Sequence, residues 1–188
     1  MEKRKSITGI LKYFAKEQPS KTALVIDGIS VCYYDFYRQV TSAASFLLRK
    51  GIKKGSHVVT VASPTIDYVV TEYAILGIGA VNIPTENRIP SDRLGEIAKT
   101  VDANFIISNV RPESDAVWMD YSEIDKSKEV DFSWEPVGVS DDCSEIIFTT
   151  GTTGQSKGVM LTSHCLETYL AAINPTFKLK NDSRIINH

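Results

Sequence analysis

Cysteine is scarce in this 188-residue chain: Cys32, Cys143 and Cys165 make three, and no two form a CxxC pair. An odd number at that spacing argues against a disulfide framework or a Cys-rich zinc site. It fits the reduced thiols of a cytoplasmic protein. His57, His164 and His188 match no metal-ligand spacing, so no metal-binding residue is assigned. Long apolar runs are also missing. No stretch reaches the ~20 residues that a membrane span needs. The basic start, Lys3-Arg4-Lys5, is followed by Ser6, Thr8, Gly9 and Lys12, and so lacks the apolar core of a signal peptide. It reads as a solvated N-terminus. Charge of one sign is lacking too: the net charge is -2, which offers no electrostatic footprint for nucleic acid. There is no internal repeat and no low-complexity segment. What remains, 43% hydrophobic and 23% charged residues, is ordinary globular composition. A chain of this size buries roughly 70% of its unfolded surface, and one domain is the expectation.

The pattern along the chain alternates. Thr22 to Ile26 and Ile29 to Tyr34 are β-rich runs around Asp27-Gly28, a two-residue hairpin signal. Asp35 is placed to cap a helix that carries Phe36, Val40, Ala43, Ala44 and Leu47, with Gly51 beyond it. His57 to Ala62 reads as a buried strand. Thr65 caps a second helix through Tyr68, Val69, Tyr73 and Leu76, which ends near Gly77 and Gly79. Ala80 to Ile83 is a short strand stopped by Pro84. Ser91 or Asp92 caps a third helix, with Leu94, Ile97, Ala98 and Val101 on one face. Asn104 to Ser108 is another short strand. Such alternation predicts an α/β fold, a mostly parallel sheet with flanking helices. Sheets of this kind hold ligands beyond the carboxyl ends of their strands.

Val110 to Cys143 interrupts the pattern and reads as a solvated acidic connection, with one strand around Ala116 to Met119. Trp118 and Trp134 are packing anchors within it. Regularity resumes with a strand over Glu145 to Thr149, a loop, and a strand over Val159 to Leu161. A helix follows from about Ser163 and is ended by Pro175. Arg184 to Asn187 reads as one more strand.

The loop from Phe148 to Val159 carries the chemistry. It follows an apolar strand, so its backbone is anchored. Gly151, Gly154 and Gly158 permit positive φ and close approach of the main chain. Successive N–H groups there form a concave anion site. Thr149, Thr150, Thr152 and Thr153 add hydroxyl donors, and Lys157 adds a mobile cation. Polyphosphate needs this combination of many donors and one cation. A surface hairpin needs two to five loop residues, and this loop reads as longer. A Walker loop does not fit: the second glycine is replaced by Ser156, Gly158 stands where Ser or Thr is required, and Val159-Met160-Leu161 reads as strand, where a Walker loop opens a helix.

These residues resemble the phosphate loop of the adenylate-forming superfamily, which includes acyl-CoA synthetases, luciferases and the adenylation domains of peptide synthetases. The usual pattern is aromatic, Thr, Ser/Thr, then Gly-Thr-Thr-Gly-x-Pro-Lys-Gly-Val. Here Ser156 takes the proline position. Asp141-Asp142 before the loop and Met160-Leu161-Thr162 after it are similar to the family as well, although Ser163 precedes His164 where a histidine is common. Gly77 to Pro84 with Pro90-Ser91-Asp92-Arg93-Leu94, and the opening hairpin with Tyr33-Tyr34-Asp35-Phe36, extend the likeness over nearly the whole chain.

The resemblance implies that residues 1–188 are the first part of the large N-terminal AMP-binding domain, a partial form of the adenylate-forming fold. It implies ATP-dependent activation of a carboxylic acid as an acyl-adenylate, followed by thioester formation on CoA, as in acyl-CoA synthetases. The alternatives are an amino-acid adenylating enzyme that serves the phosphopantetheine of a carrier protein, and a nucleotide-binding module without catalysis. Thr149, Thr150, Gly151, Thr152, Thr153, Gly154 and Lys157 are the implied ATP-binding residues. No catalytic acid or base is assigned. The family's magnesium-binding glutamate motif, ribose-binding aspartate, hinge and catalytic lysine are not found in these residues. The expectation is therefore a truncated chain that is inactive by itself, leaves Mg2+ to be bound elsewhere, and self-associates through open apolar faces.

Overall fold

A computed structural model describes residues 6–150, 156–178, 180, 183 and 185. The hairpin is where the sequence places it. Strands β1 (Thr22–Ile26) and β2 (Ile29–Cys32) pair antiparallel, and Asp27 and Gly28 both have positive φ, as a two-residue primed turn requires. Strand β2 stops at Cys32, two residues before the expected end, because its successor, a helix, has already begun.

That successor, α2 (Tyr33–Arg49), starts earlier than the Asp35 cap predicts. Cys32 is its N-cap without a side-chain bond, and Asp35 lies in the first turn, where its carboxylate faces the helix dipole. Its other end is a Schellman closure: Gly51 has φ 94, and the Ile52 and Gly51 N–H groups donate to the Leu47 and Leu48 carbonyls. Helix α1 (Ile7–Glu17) precedes the hairpin and was not legible in the N-terminal composition. Ser6 caps it by accepting from the Gly9 N–H, and it buries Thr8, Leu11, Lys12 and Ala15 on one face.

A six-stranded sheet forms the centre, in the order β6-β5-β3-β4-β7-β8. Strands β3 (His57–Val61), β4 (Val81–Thr85), β5 (Phe105–Ile107), β6 (Val117–Met119) and β7 (Cys143–Thr150) are parallel, and β8 (Ser156–Thr162) closes the edge antiparallel to β7. Helices α3 (Ile66–Ile78) and α4 (Ser91–Thr100) are the crossovers β3–β4 and β4–β5. The chain steps to one side of β3 and then back past it. With right-handed crossovers, that reversal sends the two helices to opposite faces. The core divides accordingly. Val58, Ile107 and Met119 join α1, α2 and α3 on one face, whereas Val59, Val61, Val81, Ile83 and Ile106 meet Leu94, Ile97 and Ala98 of α4 on the other.

Thr65 caps α3 as expected, accepting from the Tyr68 N–H at 3.2 Å. Neither Ser91 nor Asp92 caps α4. Pro90 is its N-cap, and the Ser91 hydroxyl instead donates to the Arg111 carbonyl at 2.9 Å. Pro84 does not stop β4. The Val81 N–H and Thr85 carbonyl bond toward β3, so the alternation turns position 84 toward β7, where the ladder pairs Asn82 with Glu145 alone. The missing proline N–H therefore breaks no rung. Pro175 likewise lies inside helix α5 (Ser163–Phe177) and does not end it. Of the strand expected over 184–187, residues 184, 186 and 187 lie outside the described residues.

The segment from Val110 to Cys143 is more than a solvated connection. It supplies β6, a 3₁₀ turn (Tyr121–Glu123) with a capping box from Asp120, and the buried Tyr121 and Ile124. Asp120, Asp125 and Asp131 each accept from the backbone N–H and hydroxyl of a serine two residues on. These three aspartates are thus turn-formers. Both tryptophans anchor as expected: the Trp118 indole donates to Ser108, and Trp134 stacks on Tyr37.

Candidate phosphate-binding site

The glycine- and threonine-rich loop hangs between β7 and β8. Residues 151–155, which include Gly151, Thr152, Thr153 and Gly154, lie outside the described residues. Its stem is described. Register pairs Phe148 with Gly158, Thr149 with Lys157 and Thr150 with Ser156. The ladder reaches further than the sequence predicts, so both Thr149 and Thr150 end β7, and Lys157 belongs to β8. That leaves residues 151–155 as the connection, which falls within the ordinary hairpin range. Length therefore does not set this loop apart from an ordinary hairpin; its donors and its charge do.

Each stem residue has a physical reason for its type. Gly158 has no positive φ. Its role is close approach: a Cβ there would sit 3.0 Å from Ile146 Cγ2 and 3.8 Å from the Phe148 ring. The Thr149 hydroxyl donates to the Lys157 carbonyl at 3.4 Å, across the rung that pairs the two residues. A period of two puts Thr149, Ile147 and Glu145 on one face with their partners Lys157, Val159 and Leu161. The Lys157 side chain is exposed. A cation thus stands beside a threonine at the mouth of the loop.

Position in the sheet matters as much. Strand β7 runs parallel to β4, so the loop leaves the carboxyl end of the sheet, as do the β3–α3 and β4–α4 connections. Ligands of parallel sheets collect at that end. The other end of β7 is fastened by polar contacts. Asp142 pairs with Lys54 at 2.8 Å, and the ammonium holds its carboxyl below the usual range. The His164 ring bonds Asp141 at 3.0 Å, and the Ser163 hydroxyl meets both the N–H and the carbonyl of Ser140. Thr162 accepts from the Cys165 N–H, which caps α5. The acidic pair and His164 therefore brace the base of the hairpin and stay away from its tip.

Among the described residues, no three His, Cys, Asp or Glu side chains come together as metal ligands. Cys32, Cys143 and Cys165 are free thiols. Among the described residues, no helix is long and apolar enough to cross a membrane.

The sequence profile of the AMP-binding enzyme family matches residues 11–188. Bacitracin synthase 3 of Bacillus licheniformis is 25% identical over 190 residues, which covers 97% of this chain and 3% of that protein. The structure is similar to the nonribosomal peptide synthetase FmoA3 with α-methyl-L-serine-AMP bound: TM-score 0.79, 18% identity, 92% of this chain and 20% of that one. It is also similar to NpsA-ThdA, an artificially fused adenylation–PCP di-domain from Klebsiella oxytoca: TM-score 0.75, 21% identity, 87% of this chain and 34% of that one. At these identities the structural likeness shows the fold. The chain spans a small part of each of these proteins.

Proposed function

Because this chain belongs to the AMP-binding enzyme family, we propose that it forms the first part of the large AMP-binding domain of an enzyme that adenylates an amino acid or related carboxylic acid for a carrier-protein thiol. The similarity to a peptide synthetase and to an adenylation–PCP fusion supports this acceptor over free CoA. The observation that carries the reading is the β7–β8 stem, which sets Thr149 and Lys157 on one face at the carboxyl end of the sheet.

In the first step, a substrate carboxylate oxygen attacks the α-phosphorus of ATP, and the bond from that phosphorus to the β-bridging oxygen breaks. The products are an acyl-adenylate and pyrophosphate. In the second step, the thiol sulfur attacks the acyl carbon, AMP leaves, and the thiol proton passes to solvent. Thr149, Thr150, Gly151, Thr152, Thr153, Gly154 and Lys157 hold the β- and γ-phosphates and stabilise charge on the departing pyrophosphate. Their contribution is position and electrostatics. Magnesium would add charge neutralisation on the same phosphates. Three free thiols suit a cytoplasmic setting.

Carboxylate-dependent ATP–pyrophosphate exchange by the full-length protein tests the reading. Amino or aryl acids are expected to support exchange. Exchange with fatty acids alone would restore the acyl-CoA synthetase reading, and no exchange with any acid would overturn adenylation.

The isolated 188-residue chain is expected to self-associate. Val159 and Met160 on β8, and Tyr169, Leu170 and Phe177 on α5, are exposed large apolar residues beside a sheet edge. Light scattering coupled to size exclusion should show mass rising with concentration. A single monomeric peak throughout would refute association.

A further inference from the structure

Helix α3 carries two carboxylates with opposite fates. Asp67 is partly exposed and pairs with Lys126 at 3.0 Å. Glu72 turns toward the sheet. Its Oε1 accepts from the Tyr68 hydroxyl at 3.0 Å and from Asn82 Nδ2 at 3.3 Å. Asn82 Oδ1 accepts in turn from the Thr60 hydroxyl at 2.8 Å, and Asn82 and Thr60 are both fully buried. Asn82 is also paired in register with Glu145 of β7, in the β4–β7 ladder. One amide thus stands between two carboxyl groups, one on α3 and one on the strand that delivers the phosphate loop.

Among the described residues, no cation acts on the proton affinity of either glutamate. The groups acting on Glu72 are Tyr68 of α3 and Glu145 of β7, while Tyr73 of α3 and Tyr121 of the 3₁₀ turn feel its charge. The tyrosines remain neutral: burial pushes Tyr73 up to about 12, and Tyr68 and Tyr121 are raised above their ordinary range. Two partly buried anions without a counter-charge are costly, and retaining one proton removes most of that cost.

We propose that Glu72 is a proton-operated latch between helix α3 and strand β7. Its bond from Asn82 joins α3 to β4 beside Glu145 of β7, and the neutral form leaves that neighbour unopposed. Ionised, it repels Glu145 and loosens the strand that roots the phosphate loop. The link to ATP rests on the proposed function, whereas the latch itself does not.

Burial, then repulsion from Glu145, raises the Glu72 carboxyl from 4.5 to about 7. Between those values the folded chain binds more protons than the unfolded chain. This group's contribution to stability is therefore highest at low pH, falls as pH rises from about 4.5 through about 7, and is flat above that.

The test is urea unfolding of the full-length protein from about pH 5 to about pH 8.5. The wild-type unfolding constant should rise with pH by on the order of a hundredfold. Glu72→Gln, which keeps shape and polarity, should remove most of that rise, and Glu145→Gln should lower its midpoint. Equal pH slopes in wild type and Glu72→Gln would overturn the latch. Should Glu72→Gln fail to fold, the 13C titration of the wild-type Glu72 carboxyl decides: a midpoint near neutrality supports the latch, and an ordinary carboxyl midpoint refutes it. A KM for ATP that rises with pH in wild type and stays level in Glu72→Gln ties the latch to the loop. A level KM in both refutes that tie. Absence of exchange at every pH would instead refute the functional reading, leaving unfolding and titration to decide the latch.

Discussion

Replacing Lys157 with alanine in the full-length protein should slow ATP–pyrophosphate exchange by roughly 10- to 150-fold, the equivalent of a charged hydrogen bond worth ~1.5–3 kcal/mol. The side chain is exposed and lies on an edge strand, so the substitution removes a charge without opening the core. Folding should be unchanged within ~0.5 kcal/mol. The division between constants carries the information. If Lys157 stabilises departing pyrophosphate, kcat falls along with kcat/KM. If it only gathers ATP, KM rises alone. Lys157→Arg should keep part of the rate, because the charge is retained while the point geometry is lost. Exchange kinetics identical to wild type in Lys157→Ala would remove this residue from the site.

Trp134→Ala should destabilise the fold by ~3 kcal/mol, at the lower end for a large aromatic because the ring is only partly buried. The ring stacks on Tyr37, and a Cβ on Gly77 would lie 2.5 Å from its edge, which explains the glycine on that helix face. The Trp134 carbonyl accepts from Lys12 Nζ at 2.8 Å and from the Tyr37 hydroxyl at 3.3 Å. One residue therefore fastens α1, α2 and α3 together from a segment without regular structure. Urea midpoints of the variant and wild type measure the effect. A loss under ~1 kcal/mol would restore the reading of this segment as a passive connection.

Much of the architecture is written in local pattern. The primed turn at Asp27-Gly28, the Thr65 cap, the Gly51 and Gly79 closures and the alternating strands each depend on residues close in sequence, where short-range sterics and hydrogen bonds decide. The composition of the glycine- and threonine-rich loop is legible for the same reason: its donors and its cation lie within a few residues. Helix ends were read less well. Asp35 and Ser91 are good caps by type, yet tertiary contacts moved the helix starts to follow Cys32 and Pro90.

The sequence by itself therefore determined the α/β class, the turns and the chemical character of the loop, since each is set by propensity or side-chain type over short spans. Only the tertiary structure decided what Pro84 and Glu72 do, and which elements Trp134 anchors. Pro84 is harmless because of which neighbour its alternation faces. Trp134 is an anchor because three helices, distant in sequence, meet around it. Glu72 is one acidic residue among many until folding brings Asn82 against it, sets Glu145 near by and partly buries both carboxyl groups. Desolvation and pairing depend on the surroundings in space, and no local window of sequence contains them.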